Sequence, residues 1–269
     1  MKLLILFLLF NYVCCFSNNS IKKISQKLNL APNEVQNSLL VNTFSATWIK
    51  EYTENVLTED GLVSSWILGN TIWLGFGFEG WIYMLSYFAL GSIVTKLKFK
   101  EKEEKGIEEK RSGARGYENV LGSGATASIF SILSLLSGYN YLYNIGFVSS
   151  IATKLSDTFA SEVGKAYGRN CYLITNFKKV DPGTEGAISI EGTFAGILGS
   201  ILLSLISVEL GIIELKEVPN VILSAFIATT IESYLGATIQ GKKDFLTNEF
   251  INFINTFIGA LIALFIHFV

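Results

Sequence analysis

The feature that most constrains the fold is a series of long apolar runs. They occupy residues 66–97, 123–138, 141–167, 188–213, 221–240 and 250–269. About 20 apolar residues suffice for one helical span of a bilayer. Residues 66–97 are longer than one span needs, and the glycines of residues 75–80 interrupt them, which favours a tight helical hairpin with Glu79 and Trp81 at the interface between its two spans. The sequence therefore predicts an all-α, polytopic transmembrane helix bundle of about seven spans, or about six if residues 66–97 form one tilted helix.

The composition agrees with a membrane protein. The chain is 50% hydrophobic and only 16% charged, whereas soluble domains carry about 25% charged residues. A formal net charge of -2 without a basic tail gives no reason to expect nucleic acid as a partner. Outside the first 15 residues Cys171 stands alone, which excludes a disulfide framework, and His267 lies at the end of an apolar run and is assigned no role.

The N-terminal residues are typical of a targeting segment. Residues 1–16 have the layout of a signal peptide, and residues 17–60 form a transit-like or linker segment before the membrane domain at residues 61–269. A signal followed by a transit segment resembles the bipartite leaders of proteins that enter plastids bounded by extra membranes. We therefore expect a plastid envelope or thylakoid location, with the endoplasmic reticulum membrane as the alternative.

One apolar run carries a face of charge. On a helix that advances about 100° per residue, one side of residues 150–165 collects polar groups: Ser150, Lys154, Asp157, Thr158, Ser161, Glu162 and Lys165. Ionisable groups at bilayer depth cost about 2.5–3.5 kcal/mol each, so they usually face a protein interior or a wet cavity. The face is predicted to line a site, with Asp157, Lys154, Glu162 and Lys165 as catalytic candidates. The alternative is an amphipathic helix on the membrane surface.

The loops on the two predicted membrane faces differ in their number of basic residues. With seven spans, the loops at residues 98–122, 167–187 and 241–247 share one membrane face and hold most of the basic loop residues, while the opposite connections hold only Lys216. This asymmetry places the basic face on the cytoplasmic side, which corresponds to the stroma in a plastid.

These loops contain candidate phosphate ligands. Glycines let a backbone approach a phosphate, helix N-termini offer free N–H groups, and arginine donates two hydrogen bonds at once. The candidates for nucleotide or phosphate binding are Arg111, Arg115, Gly116, Asn119, Gly122, Gly124, Lys178, Lys179, Gly183 and Thr184. The alternative for the glycines is ordinary loop chemistry and tight packing.

Carboxylates on the same face suggest a metal ion. Asp157, Glu185 and Glu191 are candidate ligands for Mg²⁺, which bridges phosphate groups in phosphoryl transfer. The alternative is a network of salt bridges that joins helices. Polar residues of the last two spans are assigned to the lipid-substrate side, although asparagines also join helices by hydrogen bonds: Glu232, Gln240, Asn248, Asn252 and Asn255.

Three motifs carry a resemblance to a known family. The segments KLSDTFASEVGKAYG, FKKVDPGTEGAISIEGTFAG and ESYLGATIQG, in this order, resemble the plant phytyl-phosphate kinases and their uncharacterised membrane relatives. The likeness runs from about residue 62 to the C-terminus and includes the glycine-rich segment near Arg115. More distantly, the first two motifs are similar to segments of phosphatidate cytidylyltransferases and CTP-using polyprenol kinases.

The resemblance implies an integral membrane kinase. It would pass a phosphoryl group from a nucleoside triphosphate, CTP being the expected donor, to an isoprenyl monophosphate. Phytyl phosphate is the expected acceptor, and phytyl diphosphate would serve tocopherol and phylloquinone synthesis. Because the acceptor is already a phosphate, no strong general base is needed. The alternatives are a CTP-dependent prenol kinase or lipid cytidylyltransferase, a membrane transporter, and a structural membrane protein.

Overall fold

The computed structural model describes residues 31–52, 56–109, 114–240 and 246–269. Within these ranges the chain forms eight α-helices, a 3-10 turn and one small sheet. The helices are α1 (Pro32–Tyr52), α2 (Glu59–Thr95), α3 (Phe99–Glu104), α4 (Tyr117–Ser137), α5 (Tyr141–Tyr167), α6 (Ile190–Glu209), α7 (Val218–Thr238) and α8 (Asn248–Phe268). The predicted all-α helix bundle is confirmed. The signal peptide expected at residues 1–16 lies outside the described residues.

Helix α2 is a hairpin of two arms. Gly77, with φ 70° and ψ -166°, breaks the helical backbone in a conformation that side-chain-bearing residues avoid. Gly61 packs against the carbonyl of Arg115, and Gly91 packs against the guanidinium of the same residue. In a straight helix these two glycines would lie about 45 Å apart. The predicted hairpin is therefore present, with the exposed Glu79 at its tip.

Helix α1 docks along the first arm of α2 through polar contacts. The indole N–H of Trp66 donates to Thr43 at 3.1 Å, and that of Trp73 donates to Glu34 at 3.1 Å. The indole N–H of Trp81, from the second arm, donates to Asn42 at 2.9 Å. Buried indoles usually need such a partner. The sequence predicts a transit-like or linker segment at residues 17–60 and no helix there, whereas these hydrogen bonds tie α1 to α2.

Helix α5 is the centre of the bundle. It packs against α2, α4, α6, α7 and α8, and every residue of its segment 145–157 is buried. A helix buried on all sides cannot lie on the membrane surface. The surface-helix alternative is therefore wrong: the apolar side of α5 packs in the core, and its polar side faces other helices.

Side-chain caps set where several helices begin. Asn140 accepts a hydrogen bond from the backbone N–H of Leu142 at the start of α5. Ser189 does the same for Gly192 in α6, and Thr247 for Phe250 in α8. Each cap satisfies an N–H that has no partner within the helix. The caps of α6 and α8 fix the helix ends that border the site.

Four helical segments of the described chain are long and apolar enough to cross a membrane: Tyr117–Ser137, Ile190–Glu209, Leu215–Thr238 and Asn248–Phe268. The two arms of α2 and the polar-faced α5 are not among them, although both belong to the predicted set of about seven spans. The arms of α2 and helix α5 pack against other helices of the bundle. Part of their surface therefore contacts protein where an isolated span would contact lipid.

The loop after α5 holds a small antiparallel sheet that the all-α prediction missed. Its strands are β1 (Cys171–Leu173), β2 (Lys179–Val180) and β3 (Ala187–Ile188), in the order β2-β1-β3. Strands of two or three residues are too short to show the alternating pattern that identifies a strand in a sequence. The sheet ties the loop into a compact unit beside the N-terminus of α6.

Candidate functional site

A cavity of about 840 Å³ opens at the end of the bundle where α5 ends. Its wall is formed by α5, α6, α7 and the first turns of α8. Residues 106–109, residues 183–189 and residues 246–247 also line it, so all three loops of the basic face contribute. Polar groups that are far apart in sequence therefore converge on one concave site.

A buried ion pair lies at the floor of this cavity. The Lys154 ammonium donates to a carboxylate oxygen of Asp157 at 2.6 Å and to the amide oxygen of Asn252 at 2.7 Å. Glu232 of α7 interacts electrostatically with Asp157 and Lys154. A buried pair is tolerated only when further hydrogen bonds satisfy both ions. Lys154 has three N–H donors, and these contacts occupy two of them, so one can serve a bound anion.

A second buried carboxylate, Glu162, is held by two lysines. Lys102 of α3 is 1% exposed and donates to the Thr95 carbonyl at 2.8 Å and to one oxygen of Glu162. Lys165 donates to the other oxygen at 3.5 Å. Glu162 and Lys165 line the cavity, whereas Lys102 lies behind Glu162. Through its contact with Lys102, Glu162 holds α3 against α5.

Arg115 lies where the hairpin meets the cavity. Its backbone bridges to residues 56–58, with hydrogen bonds of 3.1 Å to the Val56 carbonyl and from the Thr58 N–H. Its guanidinium lies over the rings of Tyr87 and Phe88, at 5.6 and 5.2 Å from the ring centres. The hydrogen-bonded backbone and the ring contacts hold Arg115 in place. Its planar guanidinium, which can donate two hydrogen bonds at once, belongs to a residue that lines the cavity.

The neighbouring glycines have other roles. The N–H of Gly116 donates a hydrogen bond to the side-chain oxygen of Asn119 at 3.3 Å. Gly122 packs against the backbone of Glu249, and Gly124 packs against Leu68. None of these three glycines lines the cavity, whereas Asn119 does. Close packing therefore accounts for Gly122 and Gly124, and the structure places these three predicted glycines outside the cavity wall. Arg111 lies outside the described residues.

In the loop between α5 and α6, some of the predicted residues line the cavity and others lie on the surface. Gly183, Thr184 and Glu185 line the cavity. Lys178 and Lys179 are exposed at the far end of the small sheet and do not line it. The two lysines were predicted from their position beside the motif, but the β1–β2 turn carries them away from the site.

Most, but not all, of the polar residues that the sequence assigns to the lipid-substrate side line the cavity. Glu232, Gln240, Asn248 and Asn252 line the cavity. Asn255 does not; it is 1% exposed and neither atom of its amide has a hydrogen-bond partner in the described structure. Asn255 therefore belongs to the helix interface beneath the cavity and not to its wall.

Among the described residues, acidic groups outnumber basic ones around the cavity. Three cations of the described chain line it, namely Arg115, Lys154 and Lys165. The carboxylates that line it are Glu108, Glu109, Asp157, Glu162, Glu185, Glu232 and Glu249. Such an excess opposes a bare polyphosphate and suits one accompanied by cations.

The predicted metal set is only partly assembled. Asp157 and Glu185 line the cavity, but Glu191 does not, and it accepts from the Arg169 N–H at 3.4 Å. Across the described part of the chain, no three His, Cys, Asp or Glu side chains are grouped as metal ligands. Mg²⁺ that is shared with substrate phosphates needs only one or two protein carboxylates. The residues present therefore fit a substrate-bound Mg²⁺ and do not fit an all-protein metal site.

Cys171 is a third kind of group at the cavity wall. Burial raises the pKa of its thiol, and the carboxylates of Glu191 and Asp181 raise it further. The thiol is therefore protonated at neutral pH, and a protonated thiol is a poor nucleophile. Covalent catalysis through Cys171 is not supported.

Two contacts were not foreseen from the sequence. Lys102 lies in a run of Glu and Lys whose composition is typical of a solvated segment, yet it is among the most buried side chains. His267, which had no assigned role, is 2.9 Å from the buried Glu217 at the opposite end of the bundle. A lysine within a charged run and a histidine at a chain end give no local signal of burial, because both contacts depend on other helices.

The fold and the site together define a class. The chain is a polytopic helical membrane protein with a cavity lined by ionisable side chains at one end of its bundle. Comparison with known proteins is specific: residues 42–260 match the family described as integral membrane protein DUF92, and the chain belongs to that family.

Relatives occur in bacteria, plants and archaea. An uncharacterised membrane protein of Synechocystis is 45% identical over 230 residues, covering 84% of this chain and 89% of its own length. Protein VTE6, chloroplastic, of Arabidopsis thaliana is 38% identical over 244 residues, covering 84% and 73%. An uncharacterised membrane protein of Methanocaldococcus jannaschii is 35% identical over 230 residues, covering 86% and 93%. No solved structure matches the chain.

Proposed function

We propose that the protein is an integral membrane kinase that transfers the γ-phosphoryl group of a nucleoside triphosphate to an isoprenyl monophosphate. CTP is the proposed donor, phytyl phosphate the acceptor, and phytyl diphosphate the product. The observation that carries the proposal is the Lys154–Asp157 ion pair, within electrostatic reach of Glu232, in a cavity that Arg115 also lines. The motif resemblance and the relative in Arabidopsis support it.

The reaction suits a site without a strong base. An ionised oxygen of the acceptor phosphate forms a bond to the γ-phosphorus, while the bond from that phosphorus to the β–γ bridging oxygen breaks. The nucleoside diphosphate leaves with the electron pair, and no proton has to be removed. Catalysis then consists of positioning and charge neutralisation.

The cationic residues divide these tasks. Lys154, held between Asp157 and Asn252, directs its remaining N–H toward the transferring group. Arg115 donates two parallel hydrogen bonds to a phosphate. Asn119 and Thr184 add neutral polar groups on the cavity wall.

Mg²⁺ is the proposed cofactor. Asp157, with Glu185 and Glu232 nearby, would hold it together with the phosphates of the donor. When bound, the ion would offset the acidic excess of the cavity and the charge of the phosphates. Without it, the acidic wall and the triphosphate repel each other.

The test is an assay of purified protein in detergent. Phytyl, geranylgeranyl and farnesyl monophosphates are each offered with CTP, ATP, GTP or UTP and Mg²⁺, and lipid products are identified by mass spectrometry. We expect diphosphates with CTP, with the highest turnover for phytyl phosphate. Asp157→Asn should lower turnover at least about 100-fold, while the matched Glu79→Gln variant at the hairpin tip should retain it. Full activity of Asp157→Asn in a folded protein would contradict the proposal.

A further inference from the structure

A second, smaller cavity lies on the other side of Arg115. It has a volume of about 110 Å³ and is lined by α1, the two arms of α2 and the start of α4. Most of its wall is aliphatic or aromatic, including Leu62, Trp66, Leu68, Met84, Leu85 and Phe88. Leu85 is 39% exposed on the outer surface of the bundle, so this wall reaches the side that faces lipid.

The two cavities share a wall. Tyr87, Arg115, Asn119 and Ser123 line both of them. A positive, hydrogen-bonding group therefore stands between an apolar pocket and a polar, ionisable one. This is the arrangement that an amphiphile with a single anionic head requires, because its head and its chain need opposite surroundings.

We propose that the small cavity, here called the chain pocket, holds the first isoprene unit of the acceptor while the Arg115 guanidinium binds its phosphate. This inference rests on the proposed function and adds the position of the lipid. Donor and metal occupy the large cavity, and the acceptor reaches it from the α1–α2 side. The rest of the isoprenoid chain extends past Leu85 into the bilayer.

The size of the chain pocket fits one branched five-carbon unit. A cavity of about 150 Å³ holds benzene, with its six carbons, so the observed volume accommodates roughly one isoprene unit. The residues of α7 and α8 that the sequence assigned to the lipid side are less suitable. Four of them line the large cavity beside carboxylates, where a hydrocarbon chain would displace water from ionised groups.

Filling the chain pocket tests the inference by kinetics. Ala46 lines it from α1, and Ala46→Leu adds a side chain where the isoprene unit would lie. Ala89→Leu makes the same change at an exposed position of α2 that does not line it. We expect Ala46→Leu to raise the KM for phytyl phosphate about tenfold or more and to leave the KM for CTP within about twofold. Equal constants for the two variants would overturn the inference even if the kinase activity is established.

A binding experiment separates this inference from the proposed function. A phytyl monophosphate that carries a diazirine on its first isoprene unit is photolysed with the purified protein, and adducts are located by mass spectrometry. Adducts on Trp66, Met84 or Phe88 would support the chain pocket even if no phosphoryl transfer occurs with any donor. Adducts confined to α7 and α8, or no saturable adduct, would overturn it. Adduct yield should fall in Ala46→Leu and stay constant in Ala89→Leu.

Discussion

At the scale of single residues, two buried lysines organise the site. Lys154 is 8% exposed and Lys102 is 1% exposed, and each has hydrogen-bonding partners from more than one element. The charged face of α5 revealed Lys154, because charge within an apolar run is costly and therefore informative. Lys102 could not be recognised in this way, because its neighbours are also charged and a solvated loop explains them equally well.

Lys102 is predicted to stabilise the fold. Lys102→Met removes one cation from the buried Glu162 and should cost about 3–5 kcal/mol of unfolding free energy, since Lys165 alone is a weaker partner at 3.5 Å. Thermal unfolding in detergent measures the loss. The double variant Lys102→Met/Glu162→Gln should recover much of it, because no buried charge is left unpaired. Additive losses in this cycle would contradict the account.

At the scale of elements, close packing accounts for glycines that looked functional. Gly122 and Gly124 lie against Glu249 and Leu68, so they bring α4 next to α8 and to the first arm of α2. A glycine-rich helix start predicts phosphate binding and tight packing equally well, and only the position of the neighbouring helices decides between them. The motif loops were placed correctly on one face because the count of spans fixes that side.

The loop that closes the cavity depends on Gly186. Its φ is +74°, and an added Cβ would lie 2.3 Å from the Ala237 Cβ of α7. Gly186→Ala should therefore push residues 183–185 away from α7, destabilise the fold by about 1–3 kcal/mol and reduce turnover. Thermal unfolding and the kinase assay measure both effects.

Gly211→Ala is the matched control. Gly211 has a φ of +69°, but nothing lies within 4 Å of an added Cβ. This variant should lose only about 1 kcal/mol, from backbone strain alone, and keep its activity. If both variants behave alike, the contact with Ala237 is not what positions the loop.

At the scale of the whole molecule, the two ends of the bundle differ, because the large cavity opens at only one of them among the described residues. The cavity lies at the C-terminal end of α5, while the tip of the hairpin and the Glu217–His267 contact lie at the other end. Apolar runs and a glycine break were enough to predict this architecture. They could not predict α1, which is as long as a span but docks by hydrogen bonds, nor the chain pocket that it forms with α2.

The hairpin fixes which residues face opposite compartments. In a variant without Cys14, Cys15 and Cys171, single cysteines are placed at Glu79 and at Lys178, both exposed. An impermeant maleimide added to sealed vesicles should label one of them from outside and the other only after permeabilisation. Labelling of both from the same side would show that α2 is not a hairpin across the membrane.

The central claim is that the γ-phosphoryl group moves to a lipid phosphate. The most direct measurement follows the label of CTP that carries ³²P at either the γ- or the α-position, with phytyl monophosphate and Mg²⁺. We expect γ-label to enter the lipid as the terminal phosphate of a diphosphate, α-label to stay in CDP, and Asp157→Asn to prevent the transfer. Label from the α-position in the lipid would identify a cytidylyltransferase, and no label in the lipid from either position would contradict phosphoryl transfer from CTP.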